Sequence, residues 1–403
     1  MATWIAQFIK NSNGDAGSGK TRMLLLAGLL IAFVQLLYVF SQTRPEQNQF
    51  RLQAPIAAAG SKKPHYSARF VTAGKTSYVH NVSVVDLGDG RLRAFWYGGS
   101  REGAGDVTIR SAVFSIKDRK WRGATDVIGR IQTQNVLRRF VKKLGNMVVL
   151  RDPASARLWL FYVSVSVGGW SGSSINMVIS DDAGQSWSKP VRLISSPVLN
   201  VSTLVKGPPF FYADGTIGLP VYHEFAGKFA ELLRVNRQGQ VILKTRISRG
   251  RVSLQPVVLP RDANHAIAFM RFSGKRPRRI LSSTTKDGGI RWSRPVKTSL
   301  RNPNAAVASI RLTDRSLLMV FNNTEKGRYD LSLAHSGDEG KSWKILHQFE
   351  NASRMSLEKR NKQRFSYPWL LQASNGDYHL FYTWHNRNIK HITFNSAWLR
   401  SKL

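Results

Sequence analysis

One stretch near the N-terminus has the spacing of a phosphate-binding loop. Residues 14–21, GDAGSGKT, match the pattern G-x-x-x-x-G-K-[ST], whose backbone amides and lysine hold nucleotide phosphates. That chemistry also needs a buried strand before the loop, an amphipathic helix after it and an acid that holds Mg²⁺. Here an apolar run follows, residues 23–40, in which Gln35 is the one strongly polar side chain. We therefore interpret the motif as a Gly/Ser-rich tail, and no nucleotide hydrolase is predicted.

The apolar run predicts a membrane anchor, because its length suffices to cross a bilayer. Three basic residues precede it and two follow, which favours an N-terminus inside and a large domain outside. The predicted location is the bacterial inner membrane, single-pass, with the domain in the periplasm; secretion or periplasmic release after signal cleavage is the alternative. The predicted boundaries are a cytoplasmic tail over 1–22, a transmembrane signal anchor over 23–41, a linker over 42–65 and a propeller domain over 66–403.

The charge balance points to a polyanionic partner. The chain has 60 Lys and Arg against 24 Asp and Glu, a net charge of +36, and all but five of the basic residues lie after residue 60. Such an excess suits nucleic acid, anionic lipid or an acidic polysaccharide, and the predicted export excludes nucleic acid. The absence of cysteine fits a bacterial envelope protein. Nine histidines without ligand spacing give no reason to expect a metal or another cofactor.

An internal repeat runs through the chain after residue 65. Six stretches share a turn rich in Asp, Asn, Gly or Ser followed by a short apolar and aromatic strand, and another apolar run precedes each, which indicates a β-hairpin. They recur roughly every 50 to 60 residues, the period of a propeller blade. The six copies are residues 87–99, 152–164, 212–224, 261–271, 312–323 and 374–385.

A second repeated marker reads [S/T]-x-D-x-G-x-x-W. Its copies are SDDAGQSW, TKDGGIRW and SGDEGKSW, and their starts at 180, 285 and 336 are separated by two blades and one blade. We expect the Asp side chains (Asp182, Asp287 and Asp338) to bond backbone amides of their own turns. The Gly supplies a backbone angle that other residues resist, and the Trp packs beneath the hairpin. The marker predicts structure and carries no chemistry of its own.

These residues resemble the Asp-box repeat of the sialidase (neuraminidase) superfamily over roughly residues 66–400. The chain is most similar to bacterial BNR-repeat sialidase-like proteins, in stretches such as WYGGSREGAGDV (96–107), LPVYHE (219–224) and FSYP (365–368). The resemblance implies an all-β fold, a six-bladed β-propeller whose last blade borrows a strand from near residues 66–72. It also implies a site at one end of the central channel.

The chemistry that the resemblance implies is the removal of a sugar acid. In the superfamily a neutral tyrosine, activated by an acid, replaces the usual carboxylate nucleophile, and arginines grip the substrate carboxylate. In this sequence Tyr367 matches the nucleophile, and Arg271 and Arg328 match carboxylate-binding arginines. The candidate acids are Glu102, Asp106 and Glu224, and the remaining predicted substrate contacts are Arg101, His80, Gln255, Tyr222 and His223.

The sequence departs from the superfamily pattern at two positions. A blade-one arginine is replaced near His80, and the glutamate that activates the tyrosine is replaced by Gln255. A neutral amide cannot act as a base. Either Glu224 or another acid substitutes, or the mechanism differs, or the site binds without hydrolysing.

The leading prediction is a membrane-anchored exo-glycosidase that removes a 2-keto-3-deoxy sugar acid by a tyrosine-nucleophile mechanism. The sugar acid is sialic acid or the 3-deoxy-octulosonic acid of lipopolysaccharide. The alternatives are a non-catalytic propeller that binds an acidic glycan, and a lyase or hydrolase of uronic-acid polysaccharides. The predicted partners are an acidic glycan or glycolipid and a membrane, and whether a partner protein completes the site stays open.

Overall fold

A computed structural model describes residues 18–41, 48–52, 63–72, 76–196 and 199–403. Two units are present, and the larger consists of residues 45–195 and 201–403. Its described strands form six antiparallel sheets. Inner strands of neighbouring sheets contact each other around a ring, and the inner strand of the last sheet contacts that of the first. The predicted all-β, six-bladed β-propeller is confirmed.

The first three blades follow one another in chain order. Blade one contains β2 (Tyr78–Asp86), β3 (Arg91–Gly99), β4 (Thr108–Ser115) and β5 (Lys120–Gly129). Blade two contains β6 (Lys143–Arg151), β7 (Leu158–Val165), β8 (Ser173–Ser180) and β9 (Val191–Arg192). Blade three has a split inner strand, β10 (Leu204–Val205) and β11 (Phe210–Phe211), followed by β12 (Ile217–His223), β13 (Phe229–Val235) and β14 (Val241–Arg246).

The last three blades complete the ring. Blade four contains β15 (Ser253–Pro260), β16 (Ala266–Phe272), β17 (Arg279–Thr285) and β18 (Val296–Arg301). Blade five contains β19 (Ala308–Arg311), β20 (Leu317–Phe321), β21 (Asp330–Ser336) and β22 (Lys344–Asn351). Blade six contains β23 (Phe365–Gln372), β24 (Tyr378–Trp384), β25 (Asn388–Phe394) and β1 (Tyr66–Phe70). The described helices are α1 (Ser18–Ser41), α2 (Arg130–Leu137), α3 (Leu357–Lys362) and α4 (Ser396–Arg400), with a 3-10 turn at Trp170–Gly172.

The six repeated stretches are the hairpins between the first and second strands of the six blades, as predicted. Blade six is closed by β1, which pairs with β25 from Tyr66 opposite Phe394 to Phe70 opposite Lys390. β1 thus supplies the outermost strand of the C-terminal blade, which closes the ring of blades and leaves only short sheet edges.

Every inner strand begins at the same end of the propeller, which we call the upper end. Second-to-third-strand connections and blade-to-blade connections lie there, whereas the other hairpins lie at the opposite, lower end. The upper-end connections considered below are residues 100–107, 130–142, 166–172, 193–195, 201–203, 224–228, 247–252, 273–278, 302–307, 322–329, 352–364 and 385–387. The lower-end connections are residues 87–90, 116–119, 152–157, 181–190, 212–216, 236–240, 261–265, 286–295, 312–316, 337–343 and 373–377.

The three Asp-box turns have the geometry that the sequence predicts. In blade five, Asp338 accepts hydrogen bonds from the Ser342 amide at 2.8 Å and the Ser342 hydroxyl at 2.6 Å. These bonds, the Ser342 hydroxyl foremost, hold the pKa of Asp338 well below its usual range. Gly340 has φ +91°, and the indole of Trp343 donates to its carbonyl at 3.2 Å. Asp182 and Asp287 accept equivalent backbone bonds in blades two and four.

Part of the predicted linker packs against the propeller. Phe50 is 3% exposed and stacks on Tyr212, with ring centroids 5.3 Å apart. Its backbone amide donates to the Ala263 carbonyl at 2.7 Å, and the Arg51 amide donates to Phe211 at 3.0 Å. Residues 48–52 therefore bridge blades three and four, while most of the predicted tail and the rest of the linker up to residue 62 lie outside the described residues.

The predicted membrane anchor is wrong. The run folds as α1, but side chains are described only over residues 21–35 within it. Within the part of the chain that the structure describes, no helix is long and apolar enough to cross a membrane. The inner-membrane, single-pass localisation rested on this helix and is not supported.

Candidate active site at the upper end of the channel

Local backbone irregularities place polar side chains at the upper end. The inner strands of blades one, four and six each carry a bulge, where the register shifts around Asn81, Gln255 and Tyr367. These three residues have φ of +52°, +51° and +56°, and Ser202 and Asn304 adopt the same left-handed backbone in blades three and five. A bulge leaves a residue unpaired in the ladder and re-aims its side chain. Bulges thus redirect side chains in blades one, four and six, and Ser202 and Asn304 take the same backbone angle before the inner strands of blades three and five.

A chain of hydrogen bonds joins blades four, five and six. Arg271 donates from Nη1 to Gln255 Oε1 at 3.1 Å and from Nε to Asn304 Oδ1 at 2.6 Å. Gln255, which is 1% exposed, donates from Nε2 to Tyr367 Oη at 3.1 Å. Because the guanidinium occupies the amide oxygen, only the amide N–H₂ group can face the tyrosine. Gln255 therefore orients Tyr367 and cannot accept its proton.

Two further cations, Arg328 and Lys206, lie near the Tyr367 ring, and Arg364 lies beside Arg328. Arg328 donates to the Asn304 carbonyl at 3.1 Å, and its guanidinium carbon lies 5.8 Å from the centre of the Tyr367 ring. Burial lowers the pKa of Arg328, and the nearby charges of Arg271 and Arg364 lower it further. Arg364 lies just before β23, and an isolated parallel β-bridge joins its backbone to that of Arg328. The site is cationic and suits an anionic ligand.

The remaining cation, Lys206, is fully buried beneath the tyrosine. Its ammonium group donates to the Pro368 carbonyl at 3.1 Å and lies 5.8 Å from the ring centre of Tyr367 and 5.3 Å from that of Trp369. Burial lowers the pKa of Lys206 to about 7. The sequence analysis missed both Lys206 and Arg364; their one signal was proximity in sequence to aromatic strands, at 206–211 and 364–369.

His80 does not replace the missing arginine as a cation. It is 5% exposed, and its ring packs edge-on against Tyr367 with centroids 4.2 Å apart. Burial, then the charges of Arg328 and Lys206, hold the pKa of His80 well below its usual value. These surroundings favour the neutral form of the histidine, whose ring packs against the tyrosine.

Tyr222 and His223 have different surroundings at the end of β12. The hydroxyl of Tyr222 is buried between the Asn146 amide at 3.2 Å and the Gln255 amide at 3.4 Å, which places it behind Gln255. His223 stacks on Phe229 at 4.6 Å, and burial lowers its pKa to about 4. Tyr222 thus belongs to the hydrogen-bonded chain, and His223 packs within its own blade.

The candidate acids differ in their hydrogen-bond partners. Glu102 is exposed, and its Oε2 accepts from the Tyr78 hydroxyl at 3.1 Å. Asp106 accepts from the Ser100 amide at 2.9 Å and the Ser100 hydroxyl at 3.0 Å, so it fixes its own loop. Arg101 is exposed, and within the described ranges no ion pair joins it to either acid. Glu102 is the acid whose carboxylate is left at the mouth of the channel.

Glu224 lies on the blade-three side of the site. It is half-buried, and its backbone amide donates to Ser202 Oγ at 2.7 Å. The pKa of Tyr222 is raised mainly by burial, then by Tyr367 and then by the charge of Glu224. In the described part of the structure its carboxylate makes no hydrogen bond to Tyr367. Across the same residues, no group of three or more His, Asp and Glu is placed to hold a metal ion.

A propeller of six blades with tyrosine and arginines at one end of its channel has the architecture of a sialidase-like protein. The family model described as a BNR repeat-like domain matches residues 90–380, so the chain belongs to this family. A search of curated proteins gives no match.

Solved structures share the fold at low sequence identity. A Hadza microbial sialidase is 16% identical with a TM-score of 0.66, over 83% of this chain and 69% of its own. The NanB sialidase of Streptococcus pneumoniae is 10% identical with a TM-score of 0.62, over 88% and 71%. An α-L-arabinofuranosidase of Fusarium graminearum is 13% identical with a TM-score of 0.55, over 83% and 98%. At such identities the likeness shows the fold alone.

Proposed function

We propose that this chain is an exo-glycosidase that removes a terminal 2-keto-3-deoxy sugar acid from an acidic glycan or glycolipid. The observation that carries the proposal is the Arg271–Gln255–Tyr367 chain of hydrogen bonds, with Arg328 against the tyrosine ring. Two similar structures are of sialidases, which supports the class of reaction. A sugar acid carries its carboxylate on the anomeric carbon, so a cationic cradle beside a neutral nucleophile matches it.

Each proposed role follows from the position of the side chain. Arg271, Arg328 and Arg364 would hold the substrate carboxylate through guanidinium forks. Tyr367 Oη would bond to the anomeric carbon as the glycosidic bond breaks, and its proton would pass to water at the channel mouth. Glu102 would protonate the leaving oxygen and then take a proton from the water that releases the sugar acid from the tyrosine.

Binding without hydrolysis is the second candidate, and the amide of Gln255 favours it. An acid at this position would draw the proton from Tyr367, whereas Gln255 donates a hydrogen bond to the same oxygen. A site that has the arginines Arg271, Arg328 and Arg364 but no base beside Tyr367 would bind an acidic glycan and hydrolyse it slowly or not at all.

The experiment compares hydrolysis by the full chain of fluorogenic glycosides of sialic acid and of 3-deoxy-octulosonic acid. We expect Tyr367→Phe to abolish the release of fluorophore. Tyr66→Phe is the matched control, because Tyr66 lies on the outermost strand of the same blade. We expect Gln255→Glu to raise the rate by about 10² to 10⁴, because its carboxylate replaces an amide 3.1 Å from Oη.

The outcomes separate the two candidates. Release of fluorophore by the native chain, lost in Tyr367→Phe alone, supports the glycosidase. No release, with a sugar acid bound by the native chain and lost in Arg271→Met, supports the binding propeller. Neither release nor binding of either sugar acid refutes the site.

A further inference from the structure

The connections at the two ends of the propeller differ in charge. The upper-end connections hold 19 Lys and Arg but only 5 Asp and Glu, a net charge of +14. The lower-end connections hold 11 Lys and Arg and 12 Asp and Glu, a net charge of −1. The upper-end connections are therefore strongly basic while the lower-end connections are close to neutral, and a role in general solubility would not require this difference.

Exposed apolar side chains share the same end. Eight large apolar residues in the upper-end connections are exposed, whereas the described residues of the lower-end connections contain none. The most exposed are Phe140 at 62%, Val167 at 77%, Phe225 at 64% and Leu357 at 64%. They lie in the connections that follow β5, β7, β12 and β22, so they surround the channel from several blades.

Basic residues interspersed with exposed apolar tips are suited to a lipid surface. The cations attract anionic headgroups, and the apolar side chains enter the boundary between headgroups and acyl chains. A soluble polyanion would use the cations but would gain little from Val167 or Leu357. We propose that the upper end of the propeller docks on an anionic lipid surface, with the channel mouth turned towards it.

This orientation identifies a substrate class for the proposed function. Where the upper end meets the lipid, the cradle of Arg271, Arg328 and Arg364 lies close to the headgroups, so the sugar acid would belong to a glycolipid. This consequence rests on the proposed function, whereas the docking surface rests on charge and exposure alone.

The test measures partition of the full chain onto sedimented vesicles of phosphatidylcholine alone and of phosphatidylcholine with phosphatidylglycerol. Neutral vesicles give the binding that does not depend on charge. One variant replaces four exposed upper-end residues by Gln, and a matched control replaces four exposed lower-end residues of the same types. The upper-end set is Arg249, Lys275, Lys326 and Lys359, and the control set is Arg294, Lys117, Lys189 and Lys286.

We expect the upper-end variant to lose at least about tenfold and up to about a thousandfold of its partition onto anionic vesicles, and the control set less than about threefold. Raising the salt concentration should weaken the native chain and the control alike. Equal losses in the two variants, or equal partition of the native chain onto neutral and anionic vesicles, would overturn the proposal.

A second pair of variants separates lipid from soluble polyanion. Phe140→Ser with Leu357→Ser removes two upper-end apolar tips, and Val296→Ser with Ile345→Ser is the control on outer strands. We expect only the first pair to weaken vesicle binding, with binding to polygalacturonate or duplex DNA unchanged. If neither pair affects vesicles while a soluble polyanion binds more tightly, the lipid surface is refuted. Hydrolysis of a small soluble glycoside should be unchanged in all these variants, so failure of docking and failure of the glycosidase are distinguishable.

Discussion

Replacing Lys206 by Met tests how the protein tolerates a cation beneath its candidate nucleophile. The side chain is 2% exposed, and burial lowers its pKa from 10.5 to about 7. Lowering a pKa by one corresponds to about 1.4 kcal/mol, so the charged form costs about 5 kcal/mol in the folded state. The hydrogen bond to Pro368 offsets about 1 to 2 kcal/mol of this. At pH 6 we expect Lys206→Met to raise the free energy of unfolding by about 3 kcal/mol.

The pH dependence gives a sharper result than the value at one pH. Between pH 7 and 10.5 the unfolded chain holds a proton on Lys206 that the folded chain has lost, so folding becomes more favourable as the pH rises. Below pH 7 both states hold it and the penalty is complete. The advantage of Lys206→Met should therefore be constant below pH 7 and shrink by about 1.4 kcal/mol for each pH unit above it.

Urea unfolding of both proteins from pH 6 to pH 9 measures this difference. Lys275→Met is the matched control, because Lys275 is exposed at the upper end, and we expect its difference from the native chain not to change with pH. A constant difference between Lys206→Met and the native chain over the whole range would show that Lys206 keeps its proton when folded. That result would refute the argument from burial.

Three further perturbations have matched controls or defined slopes. Gly289→Ala should destabilise by about 1 to 3 kcal/mol more than Gly90→Ala in urea unfolding, because both have positive φ but only Gly289 has Leu232 Cδ2 2.9 Å from the added Cβ. Asn304→Gly should weaken binding of a sugar acid about 10- to 100-fold in calorimetry, since Arg271 loses its 2.6 Å partner, whereas Asn386→Gly at the same backbone angle should not. Burial lowers the pKa of His379 to about 3, so below pH 6.5 only the unfolded chain gains this proton. The free energy of unfolding should fall with decreasing pH, and His379→Gln should reduce that slope by about 1.4 kcal/mol per pH unit.

The fold was predictable because its turns have demanding local chemistry. Gly184, Gly289 and Gly340 all require φ near +90°, and each follows an aspartate that bonds its own turn. These requirements produce a repeated sequence motif, and the spacing between its copies indicates the number of blades. The anchor prediction rested on the length of the apolar run and its flanking charges, and in the described part of the chain no helix is long and apolar enough to cross a membrane.

The candidate site was predictable only where a residue falls in a stretch that resembles the sialidase superfamily. That resemblance singled out Tyr367 and Arg271, and the structure brings both to Gln255. Lys206 and Arg364 did not stand out, because one basic residue among 60 carries no positional signal. Lys206 lies between β10 and β11 and Arg364 lies before β23, so their positions depend on how neighbouring blades pack and leave no local pattern in the sequence.

The difference in charge between the two ends has two separate origins. Eight of the twelve acidic residues in the lower-end connections accept a hydrogen bond from a backbone amide of their own turn, as Asp214 does from Thr216 and Asp314 from Ser316. These turns therefore require acidic residues at the lower end, and the negative charge of those residues balances the positive charge of the Lys and Arg side chains there. No such requirement places 19 basic residues at the upper end, where the connections are longer and fewer side chains bond their own backbone. Some of these cations are held by the fold, as Arg130 is by the Gly105 and Val141 carbonyls. Others, such as Lys275 and Lys326, are exposed, and these are the cations that the proposed anionic lipid surface would bind.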